Sequence, residues 1–106
     1  MAIERNDAEA RKRLANLETV SGPIHPGEII KEDFLTPMEM SQAQLAAKAG
    51  IPPMRISDII RGRRGISADT AIGLAEALHT TPEFWMNLQM RFDLETALHA
   101  REKLGA

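Results

Sequence analysis

Apolar positions along this chain recur with the 3.6-residue period of helices, and no segment alternates with the period of two that marks a half-buried strand. Pro26 to about Leu35 predicts a short helix stopped by a turn around Pro37. Ser41 with Gln44 has the spacing of a capping box, and Gly50 stands where a left-handed residue would end the helix so opened. Pro52 and Pro53 suit the first turn of the next helix, which Gly62 and Gly65 close. Ser67 predicts the N-cap of a helix to about Leu78, with Asp69 in its first turn, where a carboxylate favours the dipole. Thr81 and Pro82 read as N-cap and first position of a last helix reaching about residue 100. Upstream, Glu4 to Glu18 predicts a further helix with a weak stripe of Ile3, Ala10, Leu14 and Leu17, joined by the linker Ser21-Gly22-Pro23. The expected fold is all-α: a five-helix bundle over residues 24–100, an arm and linker over 1–23, and a tail over 101–106.

The stretch Gln42 to Arg61 has the pattern of a helix-turn-helix. Leu45, Ala46 and Ala49 share a face of its first helix, and Ile56 and Ile59 lie one turn apart on its second. Two steeply crossing helices need a small residue at their closest approach, which Ala46 supplies. The turn, with Gly50 and Ile51, needs a residue tolerant of positive φ, which Gly50 supplies. The alternative is a helical hairpin inside a bundle that binds only proteins.

Composition narrows the class. With 106 residues the chain is long enough for one domain, and the absence of cysteine excludes disulfides, thiolate zinc sites and cysteine nucleophiles. No apolar run approaches a membrane span, and the charged start MAIERNDAEARKR lacks the apolar core of a secretory signal. A soluble cytoplasmic protein that contacts no membrane is expected.

Charge strengthens the helix-turn-helix reading. The net charge is −2, yet residues 41–66 hold Lys48, Arg55, Arg61, Arg63 and Arg64 against only Asp58, a balance of +4; residues 1–40 and 67–106 each stand at −3. A basic middle between acidic ends points to a phosphate-facing patch. The outward residues of the second helix are expected to be Pro52, Pro53, Met54, Ser57, Asp58 and Arg61, with Arg55 at the edge. If its N-terminal end enters a major groove, Pro53, Met54 and Ser57 come nearest base edges. Arg55 or Arg61 would grip guanine or hold phosphate, and Asp58 would accept from cytosine or orient an arginine. Gln42 and Gln44 stand where the start of the first helix can meet a phosphate. Arg63 and Arg64 are expected to hold backbone, with shape and deformability carrying much of the specificity.

The last helix has two apolar faces. Phe84, Trp85, Leu88 and Phe92 cluster on one, and Met86, Met90, Leu94, Ala97 and Leu98 on another. A surface helix needs one stripe for its own core, so the second predicts a partner helix in a homodimer. The competing reading is a fully buried central helix. For the arm, a contact with a protein partner, a DNA contact through Arg11, Lys12 and Arg13, and a frayed helix all stay open.

Catalysis finds no support. His25, His79 and His99 are too scattered for a helical metal pair, no glycine loop cradles a phosphate, and no serine has a placed histidine. No enzyme activity, metal or cofactor is expected.

Four ordered blocks then resemble a known family. They are His25-Pro26-Gly27-Glu28-Ile29-Ile30, Ser41-Gln42-Ala43-Gln44-Leu45-Ala46, Arg64-Gly65-Ile66-Ser67-Ala68-Asp69-Thr70-Ala71 and Pro82-Glu83-Phe84-Trp85-Met86-Asn87-Leu88-Gln89. Over about residues 24–98 they are similar to the HigA-type, or virulence-associated-protein-I-like, antitoxins of the Cro/repressor-like (XRE) helix-turn-helix class. The resemblance implies a lambda-repressor-like bundle and a homodimeric autorepressor on double-stranded operator DNA. It also implies a cognate HigB-type toxin, usually a ribosome-dependent messenger-RNA endonuclease. The chain departs from the family at Pro52-Pro53, where polar base-reading residues are more usual, and in its charged arm 1–20. A stand-alone transcriptional regulator without a toxin is the alternative.

Overall fold

A computed structural model describes residues 22–105, and every regular element among them is helical. The expected arm helix, with Arg11, Lys12 and Arg13, lies outside the described residues.

Five helical segments follow in order. The first, α1, opens with the turn Pro26–Ile29, widens into the π-helical Ile30–Leu35 and closes with Thr36–Met38. Then come α2 (Gln42–Ala49), α3 (Pro53–Ile60), α4 (Ala68–Leu78) and α5 (Pro82–Gly105). Pro37 does not stop α1, contrary to the expectation from sequence. In a regular α-helix its ring would strike the carbonyl of Asp33. Here the Thr36 N–H reaches back five residues to the carbonyl of Lys31, and the wider turns seat the proline inside the segment. The stop comes two residues later, at Glu39, held left-handed at φ 52°.

The other helix ends follow the sequence signals closely. Gly50 (φ 67°) ends α2 and Gly62 (φ 76°) follows α3, while His79 takes the left-handed position after α4 at φ 58°. At each stop the next N–H reaches back five residues: Met40 to Leu35, Ile51 to Ala46, Arg63 to Asp58 and Thr80 to Ala75, at 2.8–3.0 Å. This is the bond pattern of a Schellman motif, which satisfies carbonyls that a helix end leaves open. Ser67 Oγ accepts from the Thr70 N–H at 3.3 Å, and Thr81 Oγ1 from the Phe84 N–H at 3.1 Å, so both predicted N-caps form.

The core sits where α1, α2, α3, α4 and the first half of α5 meet. Trp85 is wholly buried, with Phe34 and Phe84 at ring distances of 5.3 and 4.9 Å. Its indole N–H donates to Thr80 Oγ1 at 2.6 Å, so the one polar atom of the ring is satisfied. Burial of each such side chain contributes about 1.5–3 kcal/mol. Ala46 is buried as expected, and α4 also comes close to the end of α2. An added β-carbon at Gly73 would stand 2.6 Å from the Ala49 carbonyl oxygen and 3.2 Å from Ile51 Cδ1.

Beyond the core α5 continues as helix through Gly105, so residues 101–105 are not a separate tail. At 1.5 Å per residue it spans about 36 Å, and from residue 93 onward it is mostly exposed. Its buried face is the predicted one: Phe84, Trp85 and Leu88 are buried, and Phe92 is half-buried against His25. The reading of α5 as a fully buried central helix therefore fails.

Candidate nucleic-acid interface

The helix-turn-helix is built by α2 and α3. At the start of α2 the capping box is complete: Ser41 Oγ accepts from the Gln44 N–H at 3.0 Å, and Gln44 Oε1 accepts from the Ser41 N–H at 2.9 Å. The amide oxygen of Gln44 is thus engaged within the protein, and its Nε2 is the end of this exposed side chain left to donate. Gln42, at the first helical position, is exposed.

The inner face of α3 is formed by Ile56 and Ile59, both without solvent exposure. On the outside, Pro52, Pro53 and Arg61 are exposed, and Met54 is 76 % exposed, unusually open for a methionine in a folded domain. Arg55, Ser57 and Asp58 are half-buried. Arg55 reaches across to α4, where Asp69 Oδ2 lies 3.9 Å from its Nη1. Asp69, and not Asp58, is therefore the carboxylate beside it. Asp58 contributes its main-chain carbonyl, which accepts from the Arg63 N–H at 2.8 Å.

The turn after α3 carries Arg63 and Arg64, both exposed. It is fixed from two sides. From α5, Gln89 Oε1 accepts the Ile66 N–H at 2.7 Å, while Gln89 Nε2 donates to Asp93 at 2.9 Å. From the other side comes His25, whose Nδ1 accepts from the Gly27 N–H at 2.9 Å and caps α1. That leaves the other ring nitrogen to donate to the backbone of Arg64. The ring also meets Phe92 edge-on at 4.8 Å. Burial holds the His25 pKa below its ordinary value, against opposing pulls from the Arg64 backbone, Glu28 and Asp93. Gly27 completes the arrangement: it brings α1 so close to the last turn of α3 that a β-carbon would overlap the main-chain carbonyl of Ile59.

His25, Gly27, Asp69 and Gln89 thus shape the candidate interface, although sequence reasoning assigned none of them to it. Gly27 had a usable signal, a glycine inside a helical pattern, which often marks close backbone approach. Gln89 had none, because its partner lies 23 residues away.

The second face of α5 remains open in this chain: Met90, Leu94 and Leu98 are 61, 56 and 51 % exposed, and Met86 and Ala97 are exposed too. Among the described residues no three His, Asp or Glu side chains converge as a metal ion would need, and no helix is long and apolar enough to cross a membrane.

Comparison with known proteins agrees with this geometry. The helix-turn-helix family model matches residues 30–85. Virulence-associated protein I of Dichelobacter nodosus is 40 % identical over 82 residues, covering 77 % of this chain and 76 % of that protein. Antitoxin HigA-1 of Vibrio cholerae is 40 % identical over 77 residues, covering 73 and 72 %. Among solved structures, Pseudomonas aeruginosa antitoxin HigA with the higBA promoter aligns with a TM-score of 0.72 at 45 % identity, over 77 % of this chain and 89 % of that one.

Proposed function

The chain belongs to the XRE-type helix-turn-helix family, among its HigA-like antitoxins, and on that premise we propose that it binds its own operator, represses its operon and neutralises a partner toxin. The observation that carries the DNA-binding part is the exposed outer face of α3, which leads into Arg61, Arg63 and Arg64 while the flanking sequence is acidic.

In this reading α3 enters the major groove by its N-terminal end. Pro53, Met54 and Ser57 come nearest base edges. Met54 offers an apolar surface to thymine methyl groups, and Pro52 packs beside it. Arg55 sits at the groove edge, tempered by Asp69, and Asp58 lies half-buried on α3 itself. Arg61, Arg63 and Arg64 hold phosphates, as do Gln42 and the amide nitrogen of Gln44. With few hydrogen-bonding groups on the reading face, DNA shape and deformability supply much of the discrimination.

Two copies pair through the open stripe Met86, Met90, Leu94, Ala97 and Leu98 of α5, which would otherwise expose a row of large apolar side chains to water. A two-fold pair places recognition helices about 34 Å apart, one helical turn of DNA. The partner toxin is the HigB type that accompanies HigA antitoxins, and the complex works in the cytoplasm, where the operator lies. The chain binds rather than catalyses.

Electrophoretic mobility shift on the duplex upstream of the chain's own reading frame, at two salt concentrations, tests the DNA reading. Binding that weakens as salt rises is the expected result, and Arg61→Glu with Arg64→Glu should abolish it. Absence of binding to that duplex and to a random duplex library would leave a protein-binding bundle. For the toxin, co-expression with the adjacent basic reading frame should relieve its toxicity. A neighbour that is harmless alone would leave a stand-alone regulator.

A further inference from the structure

Beyond Arg63, whose N–H still bonds to α3, the turn Gly62 to Ile66 leaves the helical ladder. Two glycines make it intrinsically loose, and yet it carries two of the arginines assigned to phosphate. Its order rests on two side chains from outside the motif. Gln89 takes the Ile66 N–H, and His25 takes the backbone of Arg64. Both polar ends of Gln89 are used, because Asp93 accepts from its Nε2 and so turns its oxygen toward the turn. Gly65 permits the approach: a β-carbon there would stand 2.9 Å from Gln89 Oε1.

We propose that Gln89 is a positioning residue for DNA binding, holding the Gly62–Ile66 turn against α5 so that Arg63 and Arg64 meet the phosphate backbone already ordered. The inference rests on the DNA-binding reading above. A side chain that must be ordered on binding loses affinity to the entropy of ordering, and a turn fixed beforehand avoids that loss. Gln89 also neighbours Met90 of the open stripe. The helix proposed to join two copies is therefore the helix that fixes each arginine turn, and the spacing of the two turns follows from the dimer.

The substitution Gln89→Met keeps length and removes the acceptor. Titration of a labelled duplex from the upstream region, over a range of salt, should show binding weakened about fivefold or more at physiological salt. The slope of log affinity against log salt should stay nearly unchanged, because the arginines still reach the same phosphates once bound. In an Arg63→Ala/Arg64→Ala background the same substitution should cost almost nothing. A contribution to folding alone would cost the same in both backgrounds, and that result overturns the proposal. Hydrogen exchange gives a readout without DNA: the Ile66 amide should exchange faster in Gln89→Met, and in Gln89→Ala, while the α3 amides keep their protection. Unchanged exchange at Ile66 would equally overturn it. A wild-type chain with no salt-dependent binding would instead sink the DNA reading itself, a distinct outcome of the same titration.

Discussion

Gly27 lies with its α-carbon against the main-chain carbonyl of Ile59, so the first turn of α1 and the last turn of α3 meet backbone to backbone. Neither side of that approach can swing away as a flexible side chain could. Gly27→Ala should therefore cost about 3 kcal/mol or more, at the upper end of overpacking effects. Gly50 makes the useful contrast. Its β-carbon would meet nothing within 4 Å, and its requirement is a φ of 67°, so Gly50→Ala should cost only about 1–2 kcal/mol. Urea denaturation of the two variants checks the order; equal losses would mean that α1 can move off α3.

His25 makes stability depend on pH in a defined direction. The folded protein lowers its pKa below 6.5 through burial, while Gly27 requires Nδ1 as an acceptor. The neutral imidazole is thus favoured in the native state, and its stabilisation is complete above about pH 6.5 and declines as pH falls through the lowered folded value. Urea midpoints should fall between about pH 7.5 and pH 5.5. The variant His25→Asn, which retains a capping acceptor, should flatten that part of the profile. A profile equally steep in the variant would assign the dependence to other groups.

Arg55 and Asp69 form a pair open to solvent on the Asp69 side: that side chain is 90 % accessible, Arg55 is half-buried, and their separation is 3.9 Å. Pairs of this kind contribute roughly 0–1 kcal/mol, so Asp69→Ala should barely change the melting temperature. Its effect on DNA should be larger, because it removes a negative charge beside the proposed phosphate-binding arginines and releases Arg55. About twofold or greater tightening at low salt, shrinking as salt rises, is the expected result. Weaker binding would show that Asp69 orients Arg55 productively.

Along α5, Met90→Glu and Leu94→Glu place charges on positions that the chain leaves open, so the fold should survive while pairing does not. Sedimentation should report a dimer for the wild-type chain and a monomer for the double variant. Its affinity for a two-half-site duplex should fall by about a hundredfold, because the second half-site is no longer bound by a linked copy. A dimer that persists would place the seam elsewhere.

Much of the fold was legible in the sequence because its signals are local. A capping box needs two residues three apart, a left-handed stop needs one residue, and an apolar face repeats within a turn or two. Thus the limits of α2, the caps of α4 and α5, the inner face of α3 and the two faces of α5 could be read directly. So could the basic segment, because it is contiguous in the chain. At Pro37 the local signal no longer decides the outcome. Proline reads as a stop on average, but here the preceding π turns absorb it and the stop passes to Glu39.

What the tertiary structure alone decided are pairings between distant positions: Gly27 with Ile59, Gly73 with Ala49, His25 with Arg64 and Gln89 with Ile66. No local propensity encodes them, because each depends on the rotation and depth at which two helices pack, which the whole core settles together. The helix-turn-helix itself was therefore written into the order of residues 42–61. The setting of its arginine turn was not, since that turn is held by side chains from α1 and α5 that reach it only once the bundle has closed.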